Sequence, residues 1–138
     1  MPIPVLKPTD PLYISQWHLA MIGRLGFAGV NNTIGLERVW AAYTGTNVRV
    51  GIWDTGVQAT QWDLSANFFS SLLVTVNGQV NTGQPLTAVD IHGTAVAGLI
   101  AADNNGVGGV GVAFDGSITS VTIFGGPDDI NLNWDRYL

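Results

Sequence analysis

Val50-Gly51-Ile52-Trp53-Asp54-Thr55-Gly56 is the stretch that decides the fold, because it places a carboxylate directly after a run of apolar residues. The apolar run over 48–53 predicts a buried strand that ends at Asp54. A second stretch, Asp90-Ile91-His92-Gly93-Thr94-Ala95-Val96-Ala97-Gly98, brings a histidine 38 positions after that carboxylate. A carboxylate and an imidazole are two members of a nucleophilic triad, in which the acid orients the imidazole and the imidazole takes a proton from a serine.

The composition indicates one packed domain and excludes several classes of function. The 138 residues are 46% hydrophobic and only 11% charged, which favours a globular α/β body over a disordered chain. The net charge is −5, and the five basic residues form no stripe that would bind nucleic acid. The absence of cysteine excludes disulfides and thiolate metal sites. We find no classical N-terminal signal peptide and no apolar run of about 18 residues that would span a membrane.

The order of predicted elements favours an α/β fold with a mainly parallel sheet covered by helices on both faces. Prolines near the N-terminus predict an extended arm and loop over 1–34, and 35–138 is interpreted as the α/β core. Within that core the predicted elements are a helix over 35–43, a strand over 48–53, a helix over 92–102, a strand over 117–124 and a helix that begins near Asp128. Residues 68–80 are interpreted as a strand pair or an irregular apolar loop, with a hairpin turn signal at Asn77-Gly78. In such folds the chemistry lies beyond the carboxyl ends of the strands, where Asp54 is placed.

Three interpretations of Asp54-Thr55-Gly56 follow from the residues themselves. The first is a simple turn at the end of a strand. The second is the aspartate of a triad, and the third is an aspartic protease that needs a homodimer to bring two carboxylates together. His92 favours the triad, because an aspartic protease has no use for an imidazole at the start of a helix. Asp90 is interpreted as a residue that polarises the site or lines the substrate cleft.

With both motifs quoted, the chain resembles the subtilisin-like serine proteases, and within them the kexin/furin-like branch. Residues 8–19 look like the opening of a kexin-type catalytic domain, and 43–56 look like the approach to its catalytic aspartate. Residues 92–98 are similar to the histidine signature of the family. The resemblance implies the N-terminal portion of the subtilisin-like three-layer fold and a serine endopeptidase that acts on polypeptides. It also implies that Asp54 is the triad aspartate and that His92 is the general base.

The same resemblance implies a structural calcium ion. Asp63 stands where the family has a calcium-binding aspartate, and the run over 103–111 resembles the calcium loop of the family. The implied ligands are carboxylates, one amide and backbone carbonyls, contributed by Asp10, Asp63, Asp103, Asn105, Val107 and Gly109. A loop of Asn and Gly that holds no ion is the alternative. The glycine pattern over 106–111 also matches a dinucleotide-binding fingerprint, which we reject because it leads from a helix into a strand.

The nucleophile of the triad is the member that the motifs do not supply. None of the six serines lies in a Gly-Thr-Ser setting at a helix start, and no asparagine is suitably placed for an oxyanion hole. We therefore expect 1–138 to be the N-terminal part of a single peptidase domain whose missing C-terminal part carries the serine. The isolated chain is then expected to be inactive and to expose a sheet edge. The alternative is a catalytically dead remnant that acts as a calcium-binding or interaction module. The resemblance also implies a secreted or extracellular location, because proteases of this kind usually work outside the cytoplasm.

Overall fold

The computed structural model of the protein describes residues 5–19, 34–70, 73, 75–76 and 79–125. In chain order these residues form the 3-10 helix Tyr13–Ser15, helix α1 Leu36–Val39, strand β1 Arg49–Asp54, strand β2 Thr75–Val76, strand β3 Gln79–Val80, helix α2 His92–Ala101 and strand β4 Ser117–Thr122. The predicted turn at Asn77-Gly78 and the predicted helix near Asp128 lie outside the described residues.

The sheet that positions the site is a parallel pair of strands. β1 and β4 run in register from Arg49 opposite Ser117 to Asp54 opposite Thr122. Phe68 adds a single parallel bridge to β4. Parallel neighbours need a crossover connection, and α2 lies in that connection. The predicted α/β class with a parallel sheet is confirmed, while β2 and β3 pair separately as an antiparallel ribbon.

α2 packs on the β1–β4 pair through small side chains. Ala97 and Ala101 are fully buried and share one apolar cluster with Ile52 and Ile118 of the two strands. Methyl side chains let the helix approach the strands closely, and close packing fixes the position of the helix relative to the sheet. The first residue of α2 and the last residue of β1 consequently meet at one edge of the sheet.

The N-terminal residues differ from the extended arm that the prolines predict. The N–H of Tyr13 donates to the carbonyl of Asp10 at 3.0 Å, which closes a turn with Pro11 in its second position. The fixed φ of proline suits that position of a turn, so the residue that excludes regular structure here favours a bend. The prediction of an extended arm is therefore wrong for 10–19.

α1 is shorter than the helix predicted over 35–43. After Val39 the helix gives way to turns, in which the carbonyl of Val39 accepts the N–H of Ala42 at 3.0 Å and that of Tyr43 at 2.8 Å. Gly45 then adopts a φ of 98°, a conformation that ends the helical path. The buried residues of this region form a second apolar cluster, which consists of Tyr13, Leu19, Trp40, Val110 and Phe114.

A buried hydrogen bond ties this second cluster together. The hydroxyl of Tyr13 donates to Oε1 of Glu37 at 2.6 Å, and both residues are buried. Burial, reinforced by the neighbouring Glu37, raises the pKa of the Tyr13 phenol above its usual value of about 10. The bond joins the N-terminal residues to α1.

Replacing Tyr13 with phenylalanine is expected to lower the free energy of unfolding by about 1–3 kcal/mol, because the buried carboxylate of Glu37 loses its donor. Urea titration measures this loss, and Tyr43→Phe is the matched control because Tyr43 is exposed.

The wild-type protein is also expected to lose stability as the pH rises above about 10, where the unfolded state releases the phenol proton and the native state keeps it. Tyr13→Phe should lack that alkaline loss, and equal stability of both variants would contradict the role of this bond.

Candidate active site

Asp54 lies at the carboxyl end of β1, where its side chain is only 11% exposed. The N–H of Thr55 donates to Asp54 Oδ1 at 2.7 Å. The end of the strand therefore presents a carboxylate with a fixed orientation.

His92 is the first residue of α2, and its ring faces this carboxylate. Nδ1 lies 2.9 Å from both Oδ1 and Oδ2 of Asp54. An ionised carboxylate only accepts hydrogen bonds, so in the neutral imidazole Nδ1 carries the proton and Nε2 keeps a lone pair. The side chain of His92 is 70% exposed, which leaves Nε2 accessible from solvent. The pair has the geometry of a general base that is oriented by an acid.

Two glycines allow the ends of β1 and α2 to come this close. A Cβ atom on Gly93 would lie 2.4 Å from the carbonyl oxygen of Gly56 and 3.1 Å from the Cβ of Asp54. Gly56 itself has a φ of 96°, which side chains disfavour. A larger residue at Gly93 would push the turn away from the helix, whereas one at Gly56 would meet the backbone of Gln84 and Pro85.

Replacing Gly93 with alanine is therefore expected to destabilise the protein by about 3 kcal/mol, because its methyl group must displace backbone atoms. The matched control lies in the same helix, where a Cβ on Gly98 would meet nothing within 4 Å. Gly98→Ala should raise stability by up to about 1 kcal/mol through helix propensity. Urea denaturation of both variants measures the contrast, and similar effects at the two positions would contradict the close approach at Gly93.

Asp90 is buried and lies in the wall of a cavity of about 630 Å³ beside α2. Its Oδ2 accepts hydrogen bonds from the backbone N–H and the hydroxyl of Thr87, at 2.7 and 2.8 Å. The carboxylate thus organises its own loop. Its predicted contribution to the cleft stays a prediction, and the sequence pattern did not point to Thr87 as its partner.

Two buried carboxylates converge on the loop over 103–111. Oδ1 of Asp10 accepts the N–H groups of Asn105 and Gly106, each at 3.2 Å. Oδ2 of Asp63 accepts the N–H of Gly109 at 3.3 Å, and its Oδ1 lies 3.3 Å from the side-chain amide of Asn105. Three of the predicted calcium ligands, Asp10, Asp63 and Asn105, are therefore brought together by their side chains.

Without a bound cation, the negative charges of Asp10 and Asp63 lie close together in a buried environment, which is unfavourable. Oδ2 of Asp10 is buried and makes no hydrogen bond within the described residues. Burial raises the pKa of the Asp63 carboxyl, and the negative charges of Asp10 and Asp103 add to that effect. No lysine, arginine or histidine within the described residues forms a salt bridge with these carboxylates.

The other predicted ligands enter through their backbone. The N–H of Asp103 donates to the carbonyl of Asp63 at 2.9 Å, and the N–H of Val107 donates to Asn105 Oδ1 at 3.0 Å. Gly109 turns its N–H toward Asp63. Within the described ranges, no three His, Cys, Asp or Glu side chains form a group that could hold a metal ion. A cation at this loop would depend on amide and carbonyl oxygens as well as on the two carboxylates.

The family is decided by a match over most of the core. The family model described as the subtilase family matches residues 45–135. The chain belongs to the subtilase family. Neuroendocrine convertase 2 of Caenorhabditis elegans is 35% identical over 128 residues, which cover 89% of this chain and 20% of that protein. Furin of Homo sapiens is 34% identical over 125 residues, which cover 87% of this chain and 15% of furin. These relatives confirm the predicted kexin/furin-like branch.

Solved structures agree with the fold. The serine protease of Aeromonas sobria superposes with a TM-score of 0.72 at 28% identity, over 87% of this chain and 21% of that chain. Fervidolysin of Fervidobacterium pennivorans, a keratinolytic enzyme related to subtilisin, gives a TM-score of 0.59 at 28% identity, over 94% of this chain and 18% of that chain. The chain therefore spans about a fifth or less of the length of these relatives. None of the described helices is long and apolar enough to cross a membrane.

Proposed function

We propose that this chain supplies the acid and the base of a subtilisin-like serine endopeptidase. The observation that carries the proposal is the 2.9 Å contact between Nδ1 of His92 and the carboxylate of Asp54. The contact joins the end of a parallel strand to the start of a helix, which is the arrangement that the family motifs lead one to expect. The substrate class is a polypeptide, and the reaction is hydrolysis of a peptide bond.

In this mechanism each residue of the pair has one task. Nε2 of His92 takes the hydroxyl proton of a serine as that oxygen attacks the scissile carbonyl, and it later returns the proton to the leaving amine. Asp54 holds the protonated Nδ1 and stabilises the imidazolium that forms. The nucleophile and the oxyanion donors are proposed to come from further polypeptide of the same domain, because no serine of this sequence has the required setting.

The test uses the protein as its source produces it. A fluorophosphonate probe, which reacts with activated serines, is added to the native source, and the labelled species are captured with an antibody to these residues. A labelled species that contains this chain supports the proposal, and its intact mass shows what else it contains. A captured species that takes up no label would favour the alternative, a remnant that binds calcium or a partner without catalysis.

We also propose that Asp10, Asp63 and the loop over 103–111 hold a structural calcium ion. Asp10 and Asp63 are adjacent buried carboxylates, and Oδ2 of Asp10 makes no hydrogen bond within the described residues. A divalent cation that prefers oxygen ligands would bind that oxygen and neutralise the two charges. Asp103, Val107 and Gly109 would add backbone carbonyls, and Asn105 would turn its amide oxygen toward the ion. Bound calcium would supply positive charge that holds the N-terminal residues and the loop together.

A location outside the cytoplasm follows as a further proposal, because calcium is plentiful there. The same antibody decides it: recovery of the chain from the culture medium of intact cells supports secretion. Recovery from the cell interior alone would contradict it.

A further inference from the structure

The residue that precedes α2 does not cap the helix with its side chain. The residue before it, Ile91, has an apolar side chain and makes no capping hydrogen bond. The first N–H groups of a helix have no partner inside the helix and need an acceptor from elsewhere. The N–H of Gly93 finds one in Oγ1 of Thr55 at 3.0 Å. Gly93 is buried and Thr55 is half-buried, so this bond is partly shielded from water.

Thr55 is bonded to the acid as well as to the helix. Its own N–H donates to Asp54 Oδ1 at 2.7 Å. The carboxylate of Asp54 in turn meets Nδ1 of His92 at 2.9 Å. One residue thus holds the carboxylate with its backbone and the helix that carries the imidazole with its hydroxyl, and the four residues Asp54, Thr55, Gly93 and His92 form a closed ring of bonds.

We propose that Thr55 is a positioning residue that sets the distance between Asp54 and His92, an inference that rests on the proposed function of that pair. The hydroxyl of Thr55 carries this role. Any residue at position 55 would offer a backbone N–H to Asp54, whereas the N–H of Gly93 finds an acceptor only where the side chain carries one, as the hydroxyl of Thr55 does. Threonine also holds its hydroxyl in few rotamers, since its β-branched side chain is stiff at χ1. Misplacement of catalytic groups by about 1 Å can cost about 100-fold in rate, so a fixed spacing has catalytic value.

The experiment follows two protons by NMR in the full chain: the amide proton of Gly93 and the Nδ1 proton of His92. Thr55→Val keeps the shape of the side chain and removes the acceptor. We expect the Gly93 amide to exchange with solvent at least about 10-fold faster in this variant, and the Nδ1 proton signal to be lost to exchange. Thr55→Ser restores the hydroxyl and should return both signals to near wild-type behaviour.

Thr94→Val is the matched control. Oγ1 of Thr94 accepts the N–H of Gln58 at 3.0 Å, so this variant also removes one bond between the same turn and the same helix. A purely structural role for Thr55 predicts equal effects of the two valine variants on the Nδ1 proton of His92. That result would overturn the proposal, whereas loss of the Nδ1 signal in Thr55→Val alone supports it.

Two further outcomes keep the test decisive. If Thr55→Val does not fold, the exchange rate of the Gly93 amide is measured in the wild-type chain instead. Exchange at the rate of an unprotected peptide would overturn the proposal. Conversely, protection of that amide by about 100-fold or more supports it, since first-turn amides of helices usually lack a partner. Failure of the proposed proteolysis is distinguishable, because it would appear as absent fluorophosphonate labelling while the two protons still respond to Thr55→Val.

Discussion

Replacing His92 with alanine is expected to lower kcat of the proposed protease by about 10⁶-fold, which is the scale seen when the base of a serine triad is removed. Without Nε2 the serine hydroxyl keeps its proton and is a weak nucleophile. Asp54→Asn should cost about 10⁴-fold, because the amide favours the wrong imidazole tautomer while the geometry survives. Steady-state hydrolysis of a peptide substrate and the rate of fluorophosphonate labelling measure both losses.

The matched control for this experiment is the second histidine of the chain. His18 packs edge-on to Trp17 with ring centroids 5.8 Å apart and has no carboxylate partner within the described residues. His18→Ala should leave kcat within a few-fold of wild type. An enzyme that tolerates His92→Ala but loses its activity in Asp54→Asn would contradict the triad and revive the homodimeric aspartic protease.

The sequence predicted the parts of the fold where local pattern and packing agree. The apolar run that ends at Asp54 and the small-residue helix that starts at His92 appear within one residue of their predicted limits. The two elements pack on each other through one face each, where Ile52 of β1 shares an apolar cluster with Ala97 and Ala101 of α2. The prediction that the strand is buried along its length is wrong, because Val48 and Trp53 are exposed. Strand direction and helix start bring Asp54 and His92 to the same end of the sheet, but the absence of a side chain at Gly93 is what lets them come into contact.

Elements governed by turn chemistry and by distant contacts were harder to predict. Four prolines indicated an extended arm, yet Pro11 closes a turn, because proline restricts φ in a way that suits both conformations. The helix over 35–43 ended early, where it gives way to turns. Thr55 lay inside the quoted motif, but its bond to Gly93 joins residues 38 positions apart, and no local pattern reports such a bond.

Removal of calcium is expected to lower the melting temperature by about 5–10 °C when the ion had been present at about 100 times its Kd, because binding to the native state alone then contributes about 2.7 kcal/mol. Thermal melts with calcium and with a chelator measure the shift. Asp63→Asn should abolish the calcium-dependent part. Asp115→Asn should keep it, because Asp115 is an exposed carboxylate outside the run over 103–111.

The change in stability caused by Asp63→Asn in the presence of a chelator distinguishes a loop that binds calcium from a loop that holds no ion. Without an ion, Asp63 is a buried carboxylate whose protonated form is favoured by burial and by the neighbouring charge of Asp10. Removal of its charge should therefore leave the chelated protein as stable as wild type or more stable, although one acceptor of the Gly109 N–H is weakened. In calcium the order should reverse, with Asp63→Asn less stable than wild type. If the loop instead holds no ion, Asp63→Asn will rank the same against wild type in both buffers, because only a bound cation converts the cost of two buried carboxylates into a net stabilisation.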